Sequence, residues 1–289
     1  MSKRKILLLG ASGYLGGQIL HELQVRQEGE VTATCFSSPP QSGLLRMDVK
    51  DSPAFSAFLR ELLPDVVIWS LRGNDSADAQ ELVEQGMPTL LAHLPEQAKL
   101  VYLSTDGVFG QKAGPHREDA EIVQLDERNP LAGYCNAKIR GEEFVREGHA
   151  RHLVVRFGPI YGKNAQGRWD KRTQDLAEAL TRGGVVVLTQ NLYKSFVHVQ
   201  DLARAVVELA LGPYTGTLHV GPAQKASYYT FAVKMAEELG FDSGLVKADE
   251  LSAERAGELG IPLDTSLDTG KARSFLQTTF RSLNEEESR

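Results

Sequence analysis

Two cysteines in 289 residues, Cys35 and Cys135, are too few for a disulfide framework, and no Cys/His spacing suits a metal. A reducing compartment is the simpler expectation. Positive charge is also scarce, since 32 Lys plus Arg against 38 Asp plus Glu leave a formal charge of -6. That balance gives no basic footprint for nucleic acid or for an anionic membrane. Long apolar runs are missing as well. The opening, basic at Lys3-Arg4-Lys5 and then apolar, imitates a signal peptide, but its apolar run ends at Gly10, too early for an h-region. No stretch approaches the length that spans a bilayer. A cytoplasmic protein is expected, without internal repeats or low-complexity linkers.

What is present is an ordinary globular composition, 42% hydrophobic and 24% charged, with 27 Gly and 12 Pro. The length exceeds a usual single domain, so a large domain with a smaller one grown from its insertions is expected. Ile6 to Leu9 reads as a buried parallel strand, Tyr14 to Val25 as a helix and Val31 to Phe36 as a second strand. Pro53 to Leu63 reads as helix and Asp65 to Trp69 as a third strand. Ala77 to Leu94 is helical with a break near Gly86-Met87-Pro88, and Lys99 to Ser104 is a fourth strand. Leu131 to Arg146 returns to helix and Leu153 to Arg156 to strand. Alternation at this pitch predicts an α/β fold, a Rossmann-type doubly wound parallel sheet with a smaller C-terminal α/β substrate domain. Beyond Gly158 the rhythm loosens into separate pieces at 195–199, 201–211 and 228–239, and the acidic tail 284–289 is expected to fray. The expected division gives 1–157 plus 195–222 to dinucleotide binding, and 158–194 plus 223–289 to the substrate.

Gly10-Ala11-Ser12-Gly13-Tyr14-Leu15-Gly16 closes the first strand and opens the first helix. Gly10 permits the tight turn, Gly13 lets backbone approach a pyrophosphate, and Gly16 allows the helix to pack closely. The free N–H groups and dipole at the helix start favour phosphate charge. The spacing is G-x-x-G-x-x-G rather than the general dinucleotide fingerprint. An NAD-preferring site would carry a carboxylate at the end of the second strand. Here stand Cys35-Phe36-Ser37-Ser38-Pro39, so NADP is expected ahead of NAD, with Ser37 and Ser38 at the ribose, although no arginine sits in that stretch. Asp48-Val49 is placed where adenine would be met. Ser70, Leu71 and Arg72 after the third strand, and Ser104 after the fourth, complete the expected cofactor contacts.

Tyr134 and Lys138 lie one helical turn apart on one face. A free phenol titrates near pH ~10, too high for easy proton exchange at neutrality. An ammonium one turn away favours the phenolate and fits Tyr134 for acid–base work on a carbonyl. Lys138 has a second expected role, holding the nicotinamide ribose. Thr105, at a strand end, can hydrogen-bond the same carbonyl oxygen. Structural readings are preferred for His198, for Arg156 as an internal pairing partner, and for Tyr228-Tyr229-Phe231 as helix core. Lys194 stands between a solvated lysine and a contact for substrate diphosphate.

These residues resemble the extended short-chain dehydrogenase/reductase superfamily, and within it the dTDP-4-dehydrorhamnose reductase family. Ser104-Thr105-Asp106-Gly107-Val108-Phe109 is similar to that family's S-T-D-x-V-F, and Pro130 through Glu142 to its P-x-x-x-Y-x-x-x-K-x-x-G-E helix. His198-Val199 with Asp201-Leu202-Ala203 matches H-V-x-D-L-A, while Leu218 to Pro222 and Ser266 to Thr269 match late segments of its sugar-binding part. The resemblance implies a nucleotide-linked 4-keto-6-deoxy sugar as substrate, reduced at C4 with NAD(P)H. It also implies substrate contacts at Thr105, Asp106, Val108, Phe109, Pro159 and Lys194. A homodimer is left open, and no metal is expected. Two departures stand out: Trp69-Ser70-Leu71-Arg72-Gly73 replaces the family's Asn-Ala-Ala-Ala-Tyr-Thr, and Phe157 to Gly162 lacks the tryptophan usual near the sugar. A dehydratase would need Glu where Gly107 stands. A 4-epimerase, or a non-catalytic subunit like that of methionine adenosyltransferase, are the alternatives.

Overall fold

The computed structural model describes residues 3–36 and 43–283. Ser37, Ser38 and the acidic tail therefore lie outside the described residues. Strand β1 (Lys5–Leu9) is apolar at almost every position because both of its faces are covered. Ile6 and Leu8 pack on one side with helices α1 (Tyr14–Arg26) and α7 (Val199–Leu211). Leu7 and Leu9 pack on the other with α2 (Ser52–Leu62), α4 (Met87–His93) and α5 (Ala132–Gly148). Around β1 stand β2 (Glu30–Cys35), β3 (Leu45–Arg46), β4 (Val66–Trp69), β5 (Lys99–Leu103), β6 (His152–Arg156) and β11 (Gly216–His219). The order is β11-β6-β5-β4-β1-β2-β3, parallel throughout. The direction of winding reverses at β1, and a doubly wound sheet opens its crevice there, at the carboxyl ends of the strands.

Two strands of the main sheet were not read from the sequence. β3 is two residues long and follows the proline-rich segment, too short for any alternation to register. β11 makes Leu218–His219 part of the main sheet, not of the sugar-binding part with which the resemblance grouped Leu218 to Pro222. The expected break near Pro88 is a widened turn instead. α3 (Ser76–Glu81) runs through a π-turn at Leu82–Gly86 into α4, with Pro88 in the first turn of α4. Proline has no N–H to give, and a π-turn absorbs the missing bond.

A second apolar cluster forms beside the sheet. It joins Phe196, Phe231 and Tyr161 to α6 (Lys171–Thr181), α8 (Tyr228–Glu238) and β13 (Val246–Asp249). Phe196 and Phe231 stack with centroids 4.9 Å apart, so Phe231 is core as expected. Short pairs of β7 (Ile160–Tyr161) with β10 (Val197–His198), β8 (Val186–Thr189) with β13, and β9 (Tyr193–Lys194) with β12 (Ala226–Ser227) complete this part. Two short helices, α9 (Ala253–Glu258) and α10 (Gly270–Arg273), follow. Among the described residues, no helix is long and apolar enough to cross a membrane, and no group of three or more His, Cys, Asp or Glu is placed to hold a metal ion.

Arg156 is the internal partner that its strand-end position suggests. It gives Glu142 of α5 two bonds, at 2.9 and 2.7 Å, and both side chains are buried. Arg156 also lies 3.3 Å from His219 Nε2, whose other ring nitrogen donates to His116 O, which fixes the tautomer. Removing one partner of such a pair strands a buried charge, typically at ~3–5 kcal/mol. Arg156→Leu is therefore expected to lose about 3 kcal/mol or more in urea unfolding. A change under ~1 kcal/mol, the scale of an exposed pair, would show that the pair does not anchor α5.

Candidate active site

The glycine turn is built as the sequence implies. Gly10 has φ +87°, and a Cβ at Gly16 would overlap Gly10 O, so α1 rests directly on the turn. Gly13 is the N-cap and no side chain caps the helix, which leaves its first N–H groups facing outward. Gly10, Ser12, Gly13, Tyr14, Leu15 and Gly16 all line one cleft, of about 1130 Å³. Ser70, Leu71 and Arg72 continue that wall beyond β4, and Thr105, Asp106, Tyr134, Lys138, Pro159 and Lys194 line its far side. A pocket for one drug-sized ligand is typically ~300–1,000 Å³. This cleft is large enough for two ligands side by side.

Five expected contacts point elsewhere. Ser104 is fully buried and donates to Glu142 at 2.5 Å, so its hydroxyl serves the anchoring pair. Val108 and Phe109 are fully buried in a small cluster with Ile139 and Leu267, and Phe109 stacks on His116. An apolar side chain next to a strand end sinks into the nearest core instead of facing a polar cleft. Val49 packs with Trp69 and Phe55 for the same reason. Asp48 folds back on its own turn, with its carboxylate receiving Lys50 N at 3.0 Å.

The three expected catalytic side chains converge on the cleft. Lys138 is buried, and its ammonium donates to Leu103 O at 2.8 Å and Leu71 O at 3.1 Å. It stands 5.9 Å from the ring centre of Tyr134. Burial, and then the Arg72 guanidinium, push its pKa down to about 8. Arg72 itself lies 5.4 Å over the Tyr134 ring. The phenolate that the sequence favours at Tyr134 is not the state the structure favours. Burial raises the phenol above its ordinary value, and Cys135 and Asp106 add to this while Arg72 opposes it. The ammonium of Lys138 is directed at carbonyls and does not reach the phenol oxygen. A neutral phenol is a proton donor in waiting.

Thr105 ends β5 as the N-cap of a short turn, with its hydroxyl accepting from Gly107 N at 3.3 Å. Its own proton goes to Asp106 Oδ1 at 3.2 Å. The second Asp106 oxygen takes the hydroxyl of Thr265, and Lys194 lies 3.5 Å away while bonding Thr265 at 2.6 Å. Lys194 is thus held inside the site and is not a solvated surface lysine.

Some residues bordering the cleft were not singled out from the sequence. The loop after β7 crosses to α1: Tyr14 donates to Gly162 O at 2.5 Å, Ala165 N to Gln18 at 2.6 Å, and Gln166 to Gly17 O at 3.1 Å. Arg168 approaches Ser12 O and Gly13 O at 3.4 Å, so a cation sits over the phosphate turn. Trp169, next to it, also lines the cleft. The cationic run Arg168 to Arg172 was the available clue. His198 caps α7 through Gln200 N and packs edge-on against Tyr161, a structural histidine as expected.

A family model described as RmlD substrate binding domain matches residues 4–286. The chain belongs to that family. Among curated relatives, the RmlD-type chain is 27% identical over 252 residues to the spore coat polysaccharide biosynthesis protein SpsK of Bacillus subtilis, covering 84% of this chain and 82% of that one. It is 24% identical over 311 residues to methionine adenosyltransferase 2 subunit beta of Mus musculus, covering 96% and 85%. Among solved structures, a hypothetical dTDP-4-dehydrorhamnose reductase from Sulfolobus tokodaii superposes with a TM-score of 0.73 at 25% identity, covering 97% of this RmlD-type chain and 98% of that one.

The position of Arg72 has a measurable consequence. Lys138 carries its charge below about pH 8 and loses it above. If that charge helps hold a nicotinamide ribose, dinucleotide affinity declines through this pH. Arg72→Met removes the neighbouring cation and raises the lysine pKa, so the decline is expected at higher pH. Titration of NADPH by fluorescence across alkaline pH checks this, and superimposable curves for both proteins would refute the coupling.

Proposed function

We propose that the protein is an NADPH-dependent reductase of a nucleotide-linked 4-keto-6-deoxy sugar. The observation that carries this reading is the convergence of Thr105, Tyr134 and Lys138 on a cleft whose opposite wall is the uncapped glycine turn. Residues 1–157 with 195–222 hold the cofactor in this reading, and 158–194 with 223–289 hold the sugar nucleotide. Gly10, Ser12, Gly13 and the first turn of α1 fit a diphosphate, because the close-packed turn leaves donors and no side chain in the way.

A bound reduced nicotinamide supplies hydride to the carbonyl carbon. Tyr134 gives its phenolic proton to the carbonyl oxygen, and its raised pKa keeps the phenol protonated at neutrality. Thr105 offers its hydroxyl to the same oxygen, in competition with Asp106. Lys138, fixed by Leu71 O and Leu103 O, presents its remaining donor to the ribose. Lys194 and Arg172, with Trp169, form the wall against which the sugar nucleotide lies.

Elimination of water is disfavoured by packing. A side chain at Gly107 would overlap Cys135 Sγ, so the glutamate of a dehydratase has no room. A second reading, a non-catalytic partner subunit, draws on the likeness to methionine adenosyltransferase 2 subunit beta across 96% of this chain. The intact trio of Thr105, Tyr134 and Lys138 weighs against it.

The test is a panel of dTDP-, UDP- and GDP-linked 4-keto sugars with NADPH and NADH, followed by nicotinamide absorbance. Tyr134→Phe is expected to bind NADPH like the parent and to lose roughly 10²–10⁴-fold in kcat. Parent-level turnover in that variant would remove Tyr134 as the proton donor. Tightly retained NAD with no net oxidation of added NADPH would identify an epimerase instead.

A further inference from the structure

We infer that Arg46 is the residue that selects a 2'-phosphorylated dinucleotide, by binding that phosphate at the end of β2. The inference rests on the reading of the cleft as a dinucleotide site and adds to it which dinucleotide the chain takes.

From Cys35 through Leu44 the sequence has neither an acid nor a base. In a doubly wound sheet the adenosine ribose lies past the end of the second strand. A carboxylate there binds the free 2'-hydroxyl and repels a phosphate, while a nearby arginine accepts the phosphate. The β2 end supplies neither group itself. The fold brings one in from the adjacent strand. β3 pairs parallel with β2 so that Arg46 stands opposite Cys35, and Met47 N donates to Cys35 O at 2.9 Å. Met47 packs with the cluster under α2, and Leu44 with the cluster under α1. By strand alternation Arg46 falls on the α1 side, the side on which the glycine turn opens.

Its guanidinium lies 5.8 Å from the ring centre of Phe36. Phe36 is 43% exposed and lines the cleft. Stacking on a ring uses the face of a guanidinium and leaves its in-plane N–H fork free, the geometry that grips a phosphate. Among the described residues Arg46 has no hydrogen bond and no ion pair. Lys50, the cation that lines the cleft near the β3–α2 turn, is taken by Asp78 at 2.8 Å and Glu81 at 3.1 Å. Arg46 is therefore the charge left available at this end.

Calorimetric titration of the full chain with 2',5'-ADP, 5'-AMP, NADP+ and NAD+ tests the assignment without any sugar substrate. The parent is expected to bind 2',5'-ADP at least tenfold more tightly than 5'-AMP. Arg46→Ala is expected to erase that ratio while leaving 5'-AMP affinity within about twofold. Arg46→Glu is expected to invert the preference between NADP+ and NAD+. Arg46 is exposed at a sheet edge, and thermal unfolding of each variant confirms that the fold survives. Equal affinity for the two adenosine nucleotides in the parent, or an unchanged ratio in Arg46→Ala, overturns the role of Arg46 and leaves the dinucleotide reading intact. If none of the four ligands binds, the dinucleotide reading falls, and the inference with it.

Discussion

The carboxylate of Glu142 is the constraint on which the site depends. It is fully buried, and Arg156, Arg146 and Ser104 all donate to it. These donors come from the ends of β5 and β6 and from α5 itself. Burial alone would raise its pKa, yet the two guanidinium groups hold the carboxyl below its ordinary value, so it stays charged. A charged group that cannot leave its partners fixes α5 in rotation and in height against the strand ends. Lys138 and Tyr134 lie one and two turns before it on the same helix. Their aim into the cleft is inherited from a bond network that touches no ligand.

The opposite wall is fixed by a different device. The turn at Gly10 works by absence of side chains, which gives it no hold on the rest of the molecule. The loop at 162–168 supplies that hold. Its bonds through Tyr14, Gln18 and Gly17 tie the part beyond the main sheet to the first turns of α1. Arg168 over Ser12 O and Gly13 O then places a positive charge where the helix dipole already favours an anion. One segment thus borders both halves of the cleft, and movement of either half is felt by the other.

Much of this was legible in the sequence, for physical reasons that also explain the rest. Leu7 and Leu9 alternate with Ile6 and Leu8 between two apolar layers, so β1 reads as a continuous run. The glycine turn and the Tyr134/Lys138 pair are local patterns with fixed spacing, and the fold keeps local spacing. Ser104, Val108 and Phe109 belong to the S-T-D-x-V-F stretch around Thr105, yet only Thr105 and Asp106 of these five line the cleft. At a strand end successive side chains diverge, and the apolar ones go into the core. Arg168 and Trp169 could not be placed from sequence. Each reaches the site across a tertiary contact from a segment with no periodicity.

The electrostatics of the trio follow from burial more than from pairing. Desolvation raises the Tyr134 phenol and lowers the Lys138 ammonium, because each charged form loses water. Burial thus favours the protonated, neutral phenol and weakens the hold of Lys138 on its proton. Arg72 adds a positive charge that lowers both groups together. Asp106 works against this from the other side, but Thr265 and Lys194 engage its outer oxygen. A carboxylate so engaged holds the Thr105 proton less firmly, and a carbonyl oxygen on which negative charge develops is a competitive acceptor. The balance therefore shifts toward the substrate only as charge appears on its oxygen, which is the differential that accelerates a reaction rather than merely tightening binding.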